Sequence, residues 1–450
     1  MNLKANLAKA VGKTSYWFLH YVLRGGTSFP GKIAMKIDHN VLANLSNGYE
    51  TIIVTGTNGK TMTTALIVNA LKQKYGDVLT NPSGSNMQQG IVTAFLAHHT
   101  KHHNRKLAVL EVDEANVKLV TKWLHPSTFV LTNIFRDQMD RYGEIYTTYD
   151  KIVSGIKLAP KATVIANGDA SIFSSIDLPN PRLFYGFELN RTAADANMMA
   201  PVNTDGVLCP KCQHILHYHD RIYANLGHFF CPNCGYERPQ LDYTVTQISR
   251  QTPNELHFKM GSSHYELGIG GTYNIYNALS AYAVARQFGL TDDEVKTAFK
   301  ANKRIFGRQE LIHYRGKELN LILVKNPVGL DEVLQLLNTE SDDYSLVTLL
   351  NANHADGIDT SWIWDAQYEE LHHKQIKRLL VGGERWHDMA FRLEIAGFDN
   401  SQILVNPEDD SLIEEISKLP TKKVYILSTY TAMLALRKKM AEKKIIKAGM

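Results

Sequence analysis

The stretch Thr51–Thr64, TIIVTGTNGKTMTT, restricts what this chain can fold into more than any other. The β-branched residues Thr51, Ile52, Ile53 and Val54 favour a buried strand. That strand empties into Gly56-Thr57-Asn58-Gly59, and Lys60 and Thr61 then open an apolar helix. Strand, glycine turn and helix start together make an anion site. Backbone N–H groups converge on a phosphate, the helix dipole favours it, the lysine neutralises it and the threonine hydroxyl can hold Mg²⁺. An ordinary Gly/Asn turn before a helix is the alternative, and Lys-Thr directly after the second glycine argues against it. Counting back from Gly59, the usual first glycine position is Val54, so the loop GTNGKT is a variant form.

From residue 49 onward, strand-like runs alternate with helical ones. Thr51–Thr55, Leu107–Val112, Thr128–Thr132 and Thr163–Ala166 read as strands. Such alternation predicts a parallel sheet with helices on both faces and ligands at the carboxyl ends of its strands. A second alternation follows, with strands at Leu321–Val324, Ser345–Leu350, Lys377–Val381, Gln402–Val405 and Val424–Ser428, and a linker at 312–320 before it. At 450 residues the chain exceeds one ordinary core. The expected division is a helical extension over 1–48, a central α/β domain over 49–310, and a Rossmann-like domain over 311–450 suited to a partner.

The four cysteines fall in one place, Cys209-Pro-Lys-Cys212 and Cys231-Pro-Asn-Cys234. Each CxxC turn presents two thiolates to one tetrahedral ion, so the pattern predicts a structural Zn²⁺ ribbon inserted at about 200–240. The neighbouring His214, His217, His219 and His228 read as surface residues. So few cysteines suit a reducing cytoplasm. The net charge of +4 does not argue for nucleic acid, and no apolar run approaches the ~20 residues that span a bilayer. Lys4, Lys9 and Lys13 precede a short apolar patch with no small-residue cleavage site, a pattern of an amphipathic helix rather than a signal peptide, read as partner-free in preference to one lying on a partner or a membrane surface.

Glu111, Asp113 and Glu114 close one strand, and the polar run Asn133–Tyr142 closes another. A carboxylate at a strand end beside a phosphate loop is placed to hold Mg²⁺. TGTNGKTMTT, VLEVDEA, LTNIFRDQMDRYGE, GTYNIYNALSA and FGRQE occur in the order seen in the Mur ligases and folylpolyglutamate synthetases, which this chain resembles. Those enzymes use ATP to turn a carboxylate into an acyl phosphate, which an amine attacks to give an amide. The resemblance implies that Gly56, Thr57, Asn58, Gly59, Lys60 and Thr61 hold the ATP phosphates. It also implies that Thr61 and Glu111 meet Mg²⁺, that Asn274 and Asn277 belong to the nucleotide site, and that Arg308 faces the nucleotide from the domain junction.

Departures from the family pattern are informative. Gln138 stands where Mur ligases usually carry a metal-binding histidine. Val153 stands where they carry a carbamylated lysine, with Lys151 two residues off. Their acidic, histidine-bearing C-terminal box falls on Ile322–Pro327, and the domain that grips a uridine diphosphate has no counterpart before the phosphate loop.

One subgroup is similar throughout, the MurT-type subunits of lipid II isoglutaminyl synthase, including the cysteine ribbon, VKNPVG and Asn351–Asp365. Membership would imply a heterodimer with a glutamine amidotransferase of the GatD type. Its ammonia would amidate the α-carboxyl of D-glutamate in lipid II, at the inner face of the cell membrane. The subgroup further implies that Asp359 reaches across to orient the partner's catalytic histidine, with Asp356 and Asp365 as alternatives, so Lys60, Glu111 and Asp359 are the catalytic candidates. Trp362 and Trp364 read as core or interface anchors. An amino-acid-adding ligase, and a nucleotide-gated zinc-ribbon module touching nucleic acid, are the competing readings; Lys211, His214 and Arg221 are thin support for the latter.

Overall fold

The computed structural model describes residues 3–21, 28–82, 84–98, 105–136, 145–189, 198–199, 206–301, 309–371 and 375–446. Strands β1 (Tyr49–Thr55), β2 (Val78–Thr80), β3 (Lys106–Glu111), β4 (Thr128–Leu131), β5 (Thr163–Asn167) and β6 (Arg182–Phe187) pair in parallel. β1 lies between β3 and β4 and is buried from Thr51 to Thr55, as its β-branched run requires. Its carboxyl end therefore opens inside the parallel part of the sheet, flanked on both sides.

After β6 the chain leaves for a small antiparallel sheet of β7 (Met198–Met199), β8 (His217–Tyr223) and β9 (Leu226–Phe230). It returns as β10 (Tyr243–Gln251), parallel to β6, and folds back through β11 (Leu256–Met260) and β12 (Ser263–Leu267). The large sheet has the order β12-β11-β10-β6-β5-β4-β1-β3-β2: the strands read from the sequence pair in parallel as expected, and β11 and β12 add an antiparallel edge. The alternation of buried Leu256, Phe258 and Met260 carries the antiparallel signal, with one face on the core.

The helices Lys60–Tyr75 and Thr272–Gln287 lie against each other. The second is buried without interruption from Asn274 to Ala285, which explains its alanine-rich, weakly amphipathic sequence.

The second sheet holds β13 (Glu310–Tyr314), β14 (Lys317–Leu323), β15 (Tyr344–Leu349), β16 (Ile376–Gly382), β17 (Ile403–Val405) and β18 (Lys423–Ser428). Its order is β13-β14-β18-β15-β16-β17, with only β13 antiparallel. The linker expected at 312–320 is instead the β13–β14 hairpin. Arg315 and Gly316 form its two-residue turn with φ of 45° and 77°, and positive φ at both positions matches the strand twist. Ile312 and Leu319 are buried in the core beneath it.

At the N-terminus lie the helices Leu3–Tyr21, Phe29–Ile37 and Val41–Leu45.

Candidate nucleotide and ligase site

The glycine loop is shaped by close approach. Gly59 has φ 85°, and a Cβ there would strike the Asn277 side chain; Gly56 has φ 129° against Thr132 Oγ1 and the Asn133 backbone. Only glycine meets both demands. Asn133, just past β4, fixes the loop from outside: Thr57 N donates to its carbonyl (2.8 Å) and Asn58 N donates to Oδ1 (2.8 Å). Thr132 Oγ1 donates to the Asn58 carbonyl at 2.8 Å. The loop is thus preorganised by side chains from the next strand.

Lys60 is buried. Its ammonium donates to Glu114 Oε1 at 2.8 Å and to the Gly56 carbonyl. Burial by itself would lower the Lys60 pKa, but Glu114, Glu111 and Asp113 hold it above its ordinary value. Lys60 is thus a buried cation held by carboxylates at the foot of the glycine loop. Thr61 Oγ1 donates to Glu111 Oε2 at 2.8 Å, and Asn86 Nδ2 donates to Glu111 Oε1 at 3.2 Å. Asn81 exchanges two hydrogen bonds with the Glu111 backbone. Thr61 and Glu111 thus converge on one point at the helix start, a hard oxygen pair suited to a water-rich Mg²⁺.

A cleft opens between the two sheets, lined by Asn58, Gly59, Tyr273, Asn277, Lys325 and Glu332 among others. Asn58 and Asn326 pair across it through both amide groups (3.0 and 3.3 Å). Lys325 Nζ donates to the Thr57 carbonyl at 3.4 Å. Asn277 donates to Asn274 Oδ1 at 3.1 Å and accepts from Thr63 at 3.2 Å, while Asn274 donates to the Gly270 carbonyl. Gln309 closes this end, exchanging hydrogen bonds with the Gly270 backbone in both directions and donating to Tyr273 OH.

Glu332 lines the same cleft. Burial, reinforced by Asp331, pushes its carboxyl from 4.5 up to about 8. A carboxyl raised on folding keeps a proton that the unfolded chain releases, so stability falls as pH rises between about 4.5 and 8. The slope approaches about 1.4 kcal/mol per pH unit. Glu332→Gln should remove that slope. Unfolding of the nucleotide-free protein at pH 5 to 8 reads it, and parallel wild-type and variant profiles would refute the assignment.

The C-terminal aspartates separate clearly. Asp356 is buried and spent on structure, accepting from Thr431 N (2.7 Å), Thr431 Oγ1 and Asn353 N (3.1 Å). Asp359 is exposed, with Oδ1 accepting from Ser361 N at 2.8 Å, a contact that holds its pKa down. Asp365 is exposed and faces Arg136 at 3.6 Å. Trp362 packs partly on the core, whereas Trp364 is exposed and makes an edge contact with exposed Phe391.

In the ribbon the four cysteine sulfurs lie within 4.8 Å of one another. The Sγ–Sγ distances for Cys209–Cys234 and Cys212–Cys231 are 3.6 and 3.5 Å. Those are near the edge of a tetrahedron whose corners lie ~2.3 Å from a Zn²⁺ and far from the ~2.0 Å of a disulfide. The donor set can hold one zinc ion. His214 and His219 are exposed as expected, while His217 and His228 are half-buried, and His219 stacks on Phe230.

The structure brings Gly56–Thr61, Glu111, Asn274 and Asn277 together at the end of β1. Arg308 and Gln138 lie outside the described residues. Val153 is buried in the helix Ile145–Ile156 as core. Glu114, Asn81, Asn86, Asn133, Lys325, Asn326 and Glu332 were not among the site candidates read from the sequence. Glu114, Asn133, Lys325 and Asn326 stood in stretches the sequence singles out (the acidic run after Glu111, Asn133–Tyr142 and VKNPVG) without a role assigned to them, whereas Asn81, Asn86 and Glu332 carried no such signal.

Residues 54–207 match the model of the Mur ligase middle domain, and residues 323–433 match that of the MurT ligase C-terminal domain. The fold is also that of a pseudomurein peptide ligase type C from Methanothermus fervidus (TM-score 0.67, 19% identity, 91% of this chain and 81% of that one). A MurF ligase from Thermotoga maritima in complex with ADP is similar too (TM-score 0.63, 14% identity, 92% and 85%). Sheet order, phosphate loop and family match together define a protein of the Mur ligase class. Within that class, the chain is 45% identical, over the full length of both, to the MurT subunit of lipid II isoglutaminyl synthase (glutamine-hydrolyzing) of Streptococcus pneumoniae. It is 35% identical over 87% of each chain to the MurT subunit of Staphylococcus aureus N315. The chain belongs to the MurT family.

Proposed function

We propose that this chain is the ATP-hydrolysing ligase subunit of a lipid II isoglutaminyl synthase. It amidates the α-carboxyl of D-glutamate in the stem peptide with ammonia from a GatD-type glutaminase. The observation that carries the reading is the convergence of Lys60, Thr61 and Glu111 on the glycine loop at the end of β1. ATP sits with its phosphates over Gly56–Thr61, and Thr61 and Glu111 hold the Mg²⁺ that neutralises them. Asn274 and Asn277 line the nucleotide site, and the family resemblance adds Arg308 as a further nucleotide contact. Positioning and charge neutralisation supply most of the rate as the γ-phosphate passes to the glutamate carboxyl. Buried Val153 offers no carbamylated lysine, in keeping with ammonia rather than an amino acid as nucleophile. The test is amidation of lipid II by the co-purified pair, which must need both ATP and glutamine. Turnover without ATP refutes the reading.

The exposed set of Asp359, Ile358, Trp364, Phe391 and Ile395 supports partner docking on the C-terminal domain, with Asp359 facing the glutaminase histidine. The ribbon holds a structural zinc. Among the described residues its own buried cluster is Cys209, Leu216, Tyr218, Phe229 and Cys231, too small to fold without a staple. Arg238, bonded to buried Asp169 at 3.0 Å, ties it to the large sheet. Chelation should release one zinc per chain and collapse amide protection over 207–238 while β1–β6 stay protected. Retained protection in a metal-free sample would refute the zinc assignment.

A further inference from the structure

The first 37 residues contain Lys4, Lys9, Lys13, Arg24, Lys32 and Lys36 and no acidic residue, against a net charge of only +4 for the whole chain. The basic charge is thus concentrated at one end. Within it, the helix Leu3–Tyr21 buries Ala5, Ala8 and Gly12. These small residues let it approach the helices Phe29–Ile37 and Gln88–Ala97, and Gly12 faces Ala34 and Leu96. The large apolar residues point the other way. Leu3, Leu7, Trp17, Phe18 and Tyr21 are 49–82% exposed. At 3.6 residues per turn they share one arc of about 100°, opposite the small-residue face. Lys4 and Lys9, also exposed, flank that arc on its two sides. Phe29, at the start of the next helix, is 55% exposed as well.

A helix held to its own protein by alanine and glycine has no folding reason to show leucine, tryptophan and phenylalanine to water. Aromatic residues between lysines, with no carboxylate to repel anions, match the boundary of an anionic bilayer. No helix of the described residues is long and apolar enough to cross a membrane, so this one would lie on the surface. Its neighbour Gln88–Ala97 begins beside Asn86, which bonds Glu111, so the same unit reaches the metal edge of the site.

We infer that the helix Leu3–Tyr21 docks the enzyme on an anionic membrane surface, presenting the site to a lipid-borne acceptor. The choice of acceptor rests on the function proposed above; the docking itself does not.

Sedimentation of the purified protein, alone and with its glutaminase partner, is measured with phosphatidylglycerol-containing vesicles and with pure phosphatidylcholine vesicles. Neither nucleotide nor acceptor is present, so failure here is separable from failure of the ligase reading. Binding to the anionic vesicles is expected, with at least a tenfold loss in Leu7→Ser/Trp17→Ser/Phe18→Ser and in Lys4→Glu/Lys9→Glu. Both variants should keep ATP binding, which reports an intact fold. Three results overturn the inference: no vesicle binding by the wild type, equal binding by the variants, or occlusion of this face by a second copy or by the glutaminase subunit, seen as variant-sensitive assembly in light scattering.

Discussion

Lys60→Ala is expected to lower ATP-dependent amidation by roughly 10³-fold or more, the scale on which one charge acts on a transferring phosphoryl group. The glutaminase chemistry of the co-purified pair should remain measurable. The substitution also leaves the buried Glu114 carboxylate without the ammonium that now sits 2.8 Å away. Removing one partner of a buried pair costs up to about 3–5 kcal/mol, which Glu114 can relieve in part by taking up a proton. Lys60→Ala/Glu114→Gln separates the two effects. It should recover stability in a thermal or denaturant titration and none of the activity. If the double variant regained amidation, Lys60 would be a structural lysine and the phosphate assignment would be wrong.

Asp359→Asn should lower glutamine hydrolysis by the partnered glutaminase by ~10²–10⁴-fold, the range for losing the carboxylate that orients a catalytic imidazole. ATP binding should be unchanged, because Asp359 is exposed and asparagine can still accept from Ser361 N. Supplying ammonium salt directly should restore amidation, since the defect lies in ammonia supply. Asp356→Asn should behave in the opposite way. Its carboxylate accepts three hydrogen bonds in a buried site, so the amide unsettles the segment joining it to Thr431 and lowers stability first. Full glutaminase activity in Asp359→Asn would transfer the role to another residue.

Much of this molecule was legible locally. Four residues of β-branched character, two glycines and a lysine suffice to place a strand, a turn and a helix start, because each depends only on its own backbone preferences and nearest neighbours. The same holds for the CxxC knuckles and for the strands of the second sheet, whose observed ends differ from the expected ones by a few residues. The β10–β12 extension and the β13–β14 hairpin were missed for a different reason. Their alternation is short; the β10–β11 turn, Thr252-Pro253-Asn254-Glu255, does carry a proline and an asparagine, but the β11–β12 and β13–β14 turns, Gly261-Ser262 and Arg315-Gly316, lack the asparagine–glycine pair that marks hairpins most strongly.

The sequence by itself determined that a buried strand, a glycine turn and a helix opening on Lys60 and Thr61 follow one another, and that four thiolates share one place. Only the tertiary structure decided that Glu114 is the counter-ion of Lys60, that Asn133 pins the loop, and that Asn326 and Lys325 reach it from the second sheet, 268 residues along the chain. It also decided that Asp356 is occupied while Asp359 is free to face outward. Motifs are contiguous because backbone geometry is local. Charge partners and cleft walls come from whichever distant strands the sheet order sets side by side, and no residue's neighbours along the chain encode that order.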